Sequence, residues 1–349
     1  LSFFPQIVQG PISRYGDLSK TLYGPHDFNP KNIKFGMQRI LFGFFKKLVI
    51  ADRLFPAVAA IAGDTSAYRG AYTLCLMFFY TLELYADFTG GIDITIGTAE
   101  MLGIRVTENF ERPFFSKSLK EYWRRWHISM GTWFRDYLFY PIAMSSSMQK
   151  FSKFLRKHLG EYAGKRLPVY ISSFIVWFMT GLWHGASWNF IVWGLLNYVI
   201  LMISEEFEPL YEKFHKRYSF SNTRVYDGFM VIRTTVMVSC LKVFDCYTSV
   251  GDVFSLFGSV FTTGNYHIFA DGSLLNIGLS VSDYVIIAVS TVLLFIISMI
   301  QRKAPVREQI STLSFPVQAA VWSLLFIAVI LFGAYSIGYD ASQFIYNRF

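Results

Sequence analysis

Two histidines, His127 and His184, carry the chemistry that this sequence offers, because both lie beside apolar or aromatic stretches. A neutral imidazole is the side chain best matched to proton transfer near neutral pH. It can take the proton of a hydroxyl group that attacks an activated acyl group. A second histidine can position that hydroxyl or stabilise the oxyanion that develops on the attacked carbonyl. The pair therefore permits acyl transfer without requiring it.

A structural interpretation of His184 is equally open at this level. The ring stands between two apolar runs, residues 169–179 and 191–203. Small residues surround it, namely Gly181, Gly185 and Ala186. A titratable side chain at such depth normally faces a protein interior or a water-filled cavity. The small residues leave room for another backbone or for a substrate. The pattern fits a packed histidine bonded to a neighbouring carbonyl as well as a catalytic one.

The helices that must position His184 are predicted to be a pair of membrane spans, residues 168–185 and 188–204. Basic residues collect in the segments before and after this pair. They are Lys150, Lys153, Arg156, Lys157, Lys165 and Arg166, and then Lys213, Lys216, Arg217 and Arg224. Because cytoplasmic loops are enriched in Lys and Arg, both segments are predicted to be cytoplasmic, the first as a polar loop over residues 144–167.

The composition is that of a membrane protein. Of the 349 residues, 53% are hydrophobic and only 16% are charged, whereas a soluble domain carries about a quarter charged residues. The net charge of +8 comes from basic residues clustered in loops between apolar runs, which favours membrane topology over a nucleic-acid surface. Three cysteines without CxxC spacing, and histidines without HExxH-like spacing, predict neither a disulfide framework nor a metal site.

Further membrane spans are predicted at residues 70–89, 226–247, 281–300 and 318–338. The first carries Glu83 and Asp87 one helical turn apart, and Gly90-Gly91 is predicted to break or bend the helix behind it. Carboxylates within a membrane need cationic partners, and the arginines of the next segment are expected to supply them. These are Arg112, Arg124 and Arg125.

Residues 117–140 form a second informative segment, predicted to be one amphipathic helix. A single helical stripe would carry its aromatic and apolar residues together with one histidine: Trp123, His127, Met130, Phe134 and Tyr137. An interfacial helix anchored by tryptophan and arginine explains most of this pattern. The histidine on the aromatic stripe is the feature that such an anchor does not need.

Four stretches, in order, resemble the membrane-bound O-acyltransferase superfamily, and specifically its bacterial alginate O-acetylation branch. They are residues 3–15 (FFPQIVQGPISRY), 85–94 (YADFTGGIDI), 109–114 (NFERPF) with 123–129 (WRRWHIS) and 133–137 (WFRDY), and 181–186 (GLWHGA). The resemblance implies an all-α polytopic membrane enzyme, a multi-helix bundle with a central funnel or tunnel and interfacial helices. It also implies one membrane-embedded domain over residues 1–349. Members usually have several membrane helices before the Phe-Pro-Gln motif, and we expect this chain to lack them.

By the same resemblance, the near-invariant catalytic histidine of the family corresponds to His184 and its second histidine to His127. Contacts to substrate or to the funnel are expected from Trp123, Trp126, Trp183, Asn189, Asp87 and Arg124. Asp87 also fits a structural ion-pair network. Members pass an acyl group, usually acetyl from cytoplasmic acetyl-CoA, to an extracytoplasmic polysaccharide, commonly with a partner transferase of the SGNH-hydrolase type. We therefore expect acetyl-CoA as donor substrate, no cofactor, and a multi-pass protein of the cytoplasmic (inner) membrane.

Two other functions stay open. The sister branch of this resemblance transfers D-alanine from a carrier protein for teichoic acids. Buried histidines and carboxylates also occur in proton-coupled transporters, so a non-catalytic transporter or scaffold of a polysaccharide export machine fits the composition. The basic residues between 150 and 166 can attract the phosphates of acetyl-CoA or simply set the topology.

Overall fold

Helices dominate the chain. A computed structural model describes residues 3–7 and 9–335. This part contains no β-strand, only an isolated antiparallel bridge between Phe110 and Trp126. The prediction of an all-α protein is confirmed. The central funnel and the single domain over residues 1–349 stay predictions.

Within the described residues, the α-helices in chain order are α1 Tyr15–Leu22, α2 Pro30–Phe44, α3 Asp52–Gly63, α4 Ala71–Met101, α5 Leu119–Arg125, α6 Ile128–Phe134, α7 Tyr140–Ala143, α8 Ser146–His184, α9 Trp188–Glu206, α10 Glu208–Arg217, α11 Arg224–Lys242, α12 Val250–Thr262, α13 Val281–Ile300, α14 Val306–Ser311 and α15 Phe315–Phe332. Two π-helical segments, Phe45–Ala51 and Arg135–Phe139, connect α2 to α3 and α6 to α7. Short 3-10 helices lie at Phe4–Gln6, Pro113–Phe115, Ser219–Asn222, Val243–Cys246, Tyr266–Phe269 and Ser273–Ile277.

The chain divides into two compact units. The first unit comprises Leu1–Glu108 and Phe254–Phe349, and the second comprises Asn109–Val253. Both His127 and His184 belong to the second unit, whereas Asp87 belongs to the first.

Among the described residues, four helices are long and apolar enough to cross a membrane: α8, α9, α13 and α15. This finding confirms a multi-pass membrane protein, and α8 and α9 contain the two spans predicted around His184. The helices α13 and α15 match the last two predicted spans, of which residues 336–338 lie outside the described part. The spans predicted at 70–89 and 226–247 fall largely on α4 and α11, although α11 ends at Lys242 and a 3-10 helix follows it. Neither helix reaches this apolar level, because charged residues interrupt both.

In the first unit, α2 and α4 cross with their backbones in close contact. A Cβ atom added at Gly90 would lie 2.9 Å from the carbonyl oxygen of Gly43, and one at Gly97 would lie 2.7 Å from that of Gly36. Only glycine permits such an approach. The break predicted at Gly90-Gly91 is wrong, since α4 continues through both glycines over all 31 residues. Gly90 serves the contact between the two helices, whereas Gly91 lies against the side chain of Gln9.

Buried ion pairs join the end of α2 and its π-helical extension to α4. The Lys47 ammonium lies 2.5 Å from an Asp87 carboxylate oxygen, and Lys46 lies 2.6 Å from Asp93. Arg39 adds a contact of 2.9 Å to Asp93. The crossing of α2 over α4 thus places cations of α2 against the carboxylates. Two of the arginines predicted as their partners have other placements: Arg124 makes no ion pair within the described residues, and Arg125 pairs with Glu121.

Asp87→Leu is expected to lower the free energy of unfolding by about 3–5 kcal/mol, because it deprives the buried Lys47 ammonium of a counter-charge. Asp52, 2.8 Å from Lys47, offsets part of this loss. The double change Lys47→Met with Asp87→Leu is expected to recover only part of this stability, since it removes both charges of the pair but also takes the Lys47 ammonium away from Asp52. Thermal denaturation in detergent measures both variants. A double variant that folds normally but is inactive would assign Asp87 a part in the chemistry instead.

In the second unit, α8 spans 39 residues and is kinked at Gly160, whose φ is 88°. The first half of α8 covers most of residues 144–167, so the polar loop predicted there is wrong. The Ser145 hydroxyl caps the helix by accepting a hydrogen bond from the Met148 N–H at 3.2 Å. Lysine, arginine and leucine, which follow, are all good helix formers. The many charged residues of this segment therefore belong to a solvent-exposed helix and not to a loop.

Candidate active site

His184 ends α8 and lies among aromatic rings. Its imidazole centroid is 4.7 Å from that of Trp193, 5.0 Å from that of Trp183 and 6.1 Å from that of Phe190. Across the described part of the chain, its side chain makes neither a hydrogen bond nor an ion pair. The alternative of a packed histidine bonded to a neighbouring carbonyl therefore does not describe His184. Both of its ring nitrogens are available to a ligand.

The start of α9 packs against the segment that carries His184. A Cβ atom at Gly181 would lie 2.5 Å from the carbonyl oxygen of Phe190, and one at Gly194 would lie 2.4 Å from a carbonyl oxygen of α8. These two glycines therefore admit the backbone of a neighbouring helix, which is one of the uses predicted for the small residues. A Cβ atom at Gly185 would lie 2.6 Å from the Phe190 ring. That glycine makes room for the ring that stacks on His184.

His127 lies in a break between two helices. The helix α5 ends at Arg125, α6 begins at Ile128, and His127 has a left-handed φ of 49°. Such a conformation costs a side chain about 1–2 kcal/mol. The single helix predicted over residues 117–140 is therefore wrong, and a π-helical segment interrupts it a second time at residues 135–139. The His127 side chain is buried, with 5% of its surface exposed.

A short backbone pairing holds this break in place. The Ile128 N–H donates to the Asn109 carbonyl at 3.0 Å, and the Glu111 N–H donates to the Arg125 carbonyl at 2.9 Å. His127 thus lies between two hydrogen bonds made by the same extended segment. The local strain at His127 is offset by contacts from elsewhere in the chain, which helical periodicity does not encode.

The side chain of Asn109 determines which nitrogen of His127 carries the proton. One Asn109 amide atom lies 3.0 Å from the backbone N–H of Ser129. A backbone N–H can only donate, so this atom is the amide oxygen. The Nδ1 of His127 lies 3.2 Å from the same oxygen and must donate to it. The proton therefore resides on Nδ1, and Nε2 carries the lone pair that accepts a proton or a hydrogen bond.

Burial keeps this ring neutral. Desolvation, together with the smaller effect of the nearby His184, lowers the pKa of His127 to about 3. A group with that pKa is unprotonated throughout the physiological range. His127 thus presents an acceptor, rather than a charge, at Nε2.

Trp183 lies between the two histidines. Its ring centroid is 6.1 Å from that of His127 and 5.0 Å from that of His184. Because both imidazoles contact one indole, the structure brings the two predicted residues into one site. Trp183 itself is 46% exposed, so this site is not sealed within the unit.

Two more predicted tryptophans support the site. Trp123 lies 5.7 Å from Trp193, and its indole N–H donates to the Asn197 amide oxygen at 3.0 Å. Trp126 stacks on Tyr122 with a centroid distance of 5.6 Å. Both indoles thus belong to the aromatic packing around the site. Contact of either ring with substrate stays a prediction.

The other predicted site residues have different placements. Asn189, which is buried, donates from its amide to the Phe244 carbonyl at 2.9 Å and so joins α9 to the end of α11. Arg124 is exposed and, within residues 3–7 and 9–335, makes no hydrogen bond or ion pair. Asp87 lies in the first unit, against Lys47. A role of these three residues in substrate binding stays a prediction.

Two polar residues near the histidines, Asn109 and Lys242, are not among the site residues predicted from the sequence. Asn109 is the first residue of one of the stretches that resemble the acyltransferase superfamily. Its place in that stretch is the sequence feature that points to it. Lys242 lies within an otherwise apolar stretch, and a charged residue in such a stretch needs a partner. Its side chain is 5% exposed.

Comparison with known proteins places these residues within a family match. Residues 1–250 match the profile of a family described as "MBOAT, membrane-bound O-acyltransferase family". The matched range contains His127 and His184 together with Asn109 and Lys242. It accounts for well over half of the chain.

Several curated proteins are similar to this chain. It is 36% identical over 199 residues to the probable alginate O-acetylase of Azotobacter vinelandii, which covers 56% of this chain and 35% of that protein. It is 31% identical over 219 residues to the peptidoglycan O-acetyltransferase of Helicobacter pylori, covering 62% and 38%. It is 28% identical over 242 residues to the teichoic acid D-alanyltransferase of Bacillus subtilis, covering 68% and 57%. The chain thus spans only part of the length of each of these relatives.

Proposed function

The chain belongs to the membrane-bound O-acyltransferase family, and from this premise we propose that it passes an acetyl group from acetyl-CoA to a hydroxyl group of an extracytoplasmic polysaccharide. Two relatives whose names state O-acetylation support acetyl as the acyl group. In this proposal the protein resides in the cytoplasmic (inner) membrane and receives acetyl-CoA from the cytoplasm. A separate transferase of the SGNH-hydrolase type is its proposed partner outside the membrane.

The observation that carries the proposal is the shared contact of His127 and His184 with Trp183, at 6.1 and 5.0 Å. One histidine has no hydrogen-bonding partner in the described residues, and the other has a fixed tautomer. This combination provides a base whose ring nitrogens are not engaged within the described residues, beside an oriented acceptor. It is what attack of a hydroxyl group on a thioester requires.

In the proposed reaction His184 is the general base. It takes the proton from the acceptor hydroxyl as the hydroxyl oxygen attacks the thioester carbonyl carbon and the C–O bond forms. The tetrahedral intermediate then collapses, the C–S bond breaks, and the leaving sulfur takes the proton from His184. Atoms and charges balance without any further reactant.

His127 holds the acceptor in this scheme. Its Nε2 accepts a hydrogen bond, whereas a neutral ring protonated on Nδ1 has no proton to donate from Nε2. Of the two roles considered for the second histidine, positioning of the hydroxyl group is therefore favoured over stabilisation of the oxyanion.

D-Alanyl transfer is the second candidate, because the chain is also similar to a teichoic acid D-alanyltransferase. The chemistry of His184 serves either acyl group. The donor is therefore what distinguishes the two functions.

The proposal is tested by incubating the purified membrane protein, in parallel, with radiolabelled acetyl-CoA and with a D-alanyl carrier-protein thioester. We expect consumption of acetyl-CoA and label on an added polysaccharide. Consumption of only the D-alanyl donor would assign D-alanylation. Proton-dependent solute uptake by reconstituted vesicles, without consumption of either donor, would overturn the enzyme assignment in favour of transport.

A further inference from the structure

Lys242, the last residue of α11, is a buried cation without a hydrogen-bonding partner. Only 5% of its side chain is exposed. In the part of the chain that the structure describes, its Nζ atom neither donates a hydrogen bond nor forms an ion pair. Three N–H donors of an ammonium group are thus unsatisfied in the interior of the second unit. Such a group is normally paired, so its isolation indicates a ligand that supplies the acceptor.

Aromatic rings hold the ammonium in position. The Nζ atom lies 3.6 Å from the ring centroid of Trp126 and 6.0 Å from that of Phe114. A cation over an aromatic face is attracted to it, but the ring accepts no conventional hydrogen bond. Asp245 is the acidic group whose charge acts on Lys242. No ion pair between these two is found among the described residues.

The position of Lys242 places it beside the two histidines. The Trp126 ring beneath its ammonium belongs to the residue that precedes His127 in the chain. On the other side, Asn189 of α9 binds the Phe244 carbonyl, two residues after Lys242, at 2.9 Å. The following residue of α9, Phe190, stacks on His184.

We propose that Lys242 binds the oxyanion of the tetrahedral intermediate. This inference rests on the proposed acyl transfer. When the hydroxyl oxygen attacks the thioester, the carbonyl π electrons move to the carbonyl oxygen, which becomes negatively charged. His184 holds the transferred proton at that moment, and His127 offers an acceptor rather than a donor. The Lys242 ammonium supplies the hydrogen bond and the positive charge that this oxygen requires, and it loses both contacts when the C–S bond breaks.

A carboxylate group on the polysaccharide substrate is the alternative ligand for the same ammonium. The two ligands have different kinetic signatures. An interaction made only in the transition state changes kcat, whereas binding of a ground-state carboxylate changes KM for the acceptor. The burial of Lys242, which is 5% exposed, favours the transient oxyanion.

The test compares Lys242→Met with wild type in the labelled-donor assay. Lys242→Met is expected to lower kcat by about 10²–10³-fold, the usual cost of one oxyanion donor, and to leave KM for acetyl-CoA and for the acceptor unchanged. Lys242→Arg is expected to restore part of kcat, because it keeps a charged donor. Lys242→Met is also expected to melt at or above the wild-type temperature, since methionine is similar in length and carries no buried charge. Lys216→Met, at an exposed lysine of α10, is the matched control and is expected to behave as wild type.

Three outcomes would overturn the inference. A Lys242→Met variant with wild-type kcat would show that Lys242 has a packing role only. A rise in KM for the acceptor at unchanged kcat would assign the ammonium to a carboxylate of the substrate. If Lys242→Met does not fold, equal kcat in Lys242→Arg and Lys242→Gln would exclude the need for a charge. Failure of the proposed function itself is distinguishable, because wild-type protein would then consume no donor.

Discussion

His184→Ala is expected to abolish acyl transfer while the protein stays in the membrane at its normal level. Loss of a general base costs about 10²–10⁴-fold in rate, which places the remaining transfer near the detection limit of a labelled-donor assay. Folding should be preserved, because the His184 side chain bonds to no other group in the described residues and its removal leaves no polar partner unsatisfied. The initial rate, the membrane level and the melting temperature in detergent measure these expectations.

The matched control for this change is His158→Ala. His158 lies in the same helix, but it is exposed and its Nδ1 contacts the Phe154 carbonyl at 2.9 Å. We expect this variant to keep wild-type activity. Full activity of His184→Ala would refute the assignment of the base. An equal loss in both variants would trace the effect to the structure of α8.

Asn109→Asp is expected to shift the pH dependence of the reaction. The change puts a carboxylate 3.2 Å from Nδ1 of His127 in place of a neutral amide, and a negative neighbour raises the pKa of a histidine. In the native protein that pKa is about 3, so Nε2 keeps its lone pair at every pH of a normal assay. In the variant, Nε2 takes up a proton as the pH falls through the raised pKa and then no longer accepts the substrate hydroxyl. The acid limb of kcat/KM should therefore move to higher pH.

Above the raised pKa, Asn109→Asp should approach the native rate, because its carboxylate still accepts from Ser129 and from Nδ1. Asn109→Leu is the comparison that removes the acceptor. We expect it to reduce activity at every pH and to lower stability by about 1–3 kcal/mol, since the buried Ser129 N–H then has no partner there. A pH profile of Asn109→Asp that superimposes on that of wild type would contradict a role for His127 in the reaction.

Hydropathy alone locates the helices on either side of His184. The apolar length of a span is a local property of the sequence, and α8 and α9 contain the predicted spans 168–185 and 188–204 except for residue 185. The small residues near His184 were likewise interpretable, because close contact of two backbones permits few residue types. The chemistry of imidazole makes the two histidines candidates for one site, but their assignment to acyl transfer comes from resemblance to a family and not from periodicity.

The rest of the site depends on contacts between segments that are distant in the chain. Helical periodicity predicts one continuous helix through His127, whereas hydrogen bonds from the Asn109 segment hold that residue in a left-handed conformation. For the same reason the sequence predicts the cationic partner of Asp87 in the segment that follows α4. The partner that the structure shows is Lys47, which precedes Asp87 by 40 residues. In the sequence, Lys242 is recognisable only as a charged residue within an apolar stretch. Its surroundings identify what it can bind.

The ion pairs between α2 and α4 also have a consequence for biosynthesis. Lys47 leaves the ribosome 40 residues ahead of Asp87, so for that interval the ammonium has no carboxylate from α4. A lone charge at the centre of a membrane helix costs about 2.5–3.5 kcal/mol, and α4 by itself falls short of the apolar level of the four candidate spans. Each segment is therefore a poor substrate for insertion alone, and each neutralises the other. We therefore expect α2 and α4 to insert more readily together than either does alone.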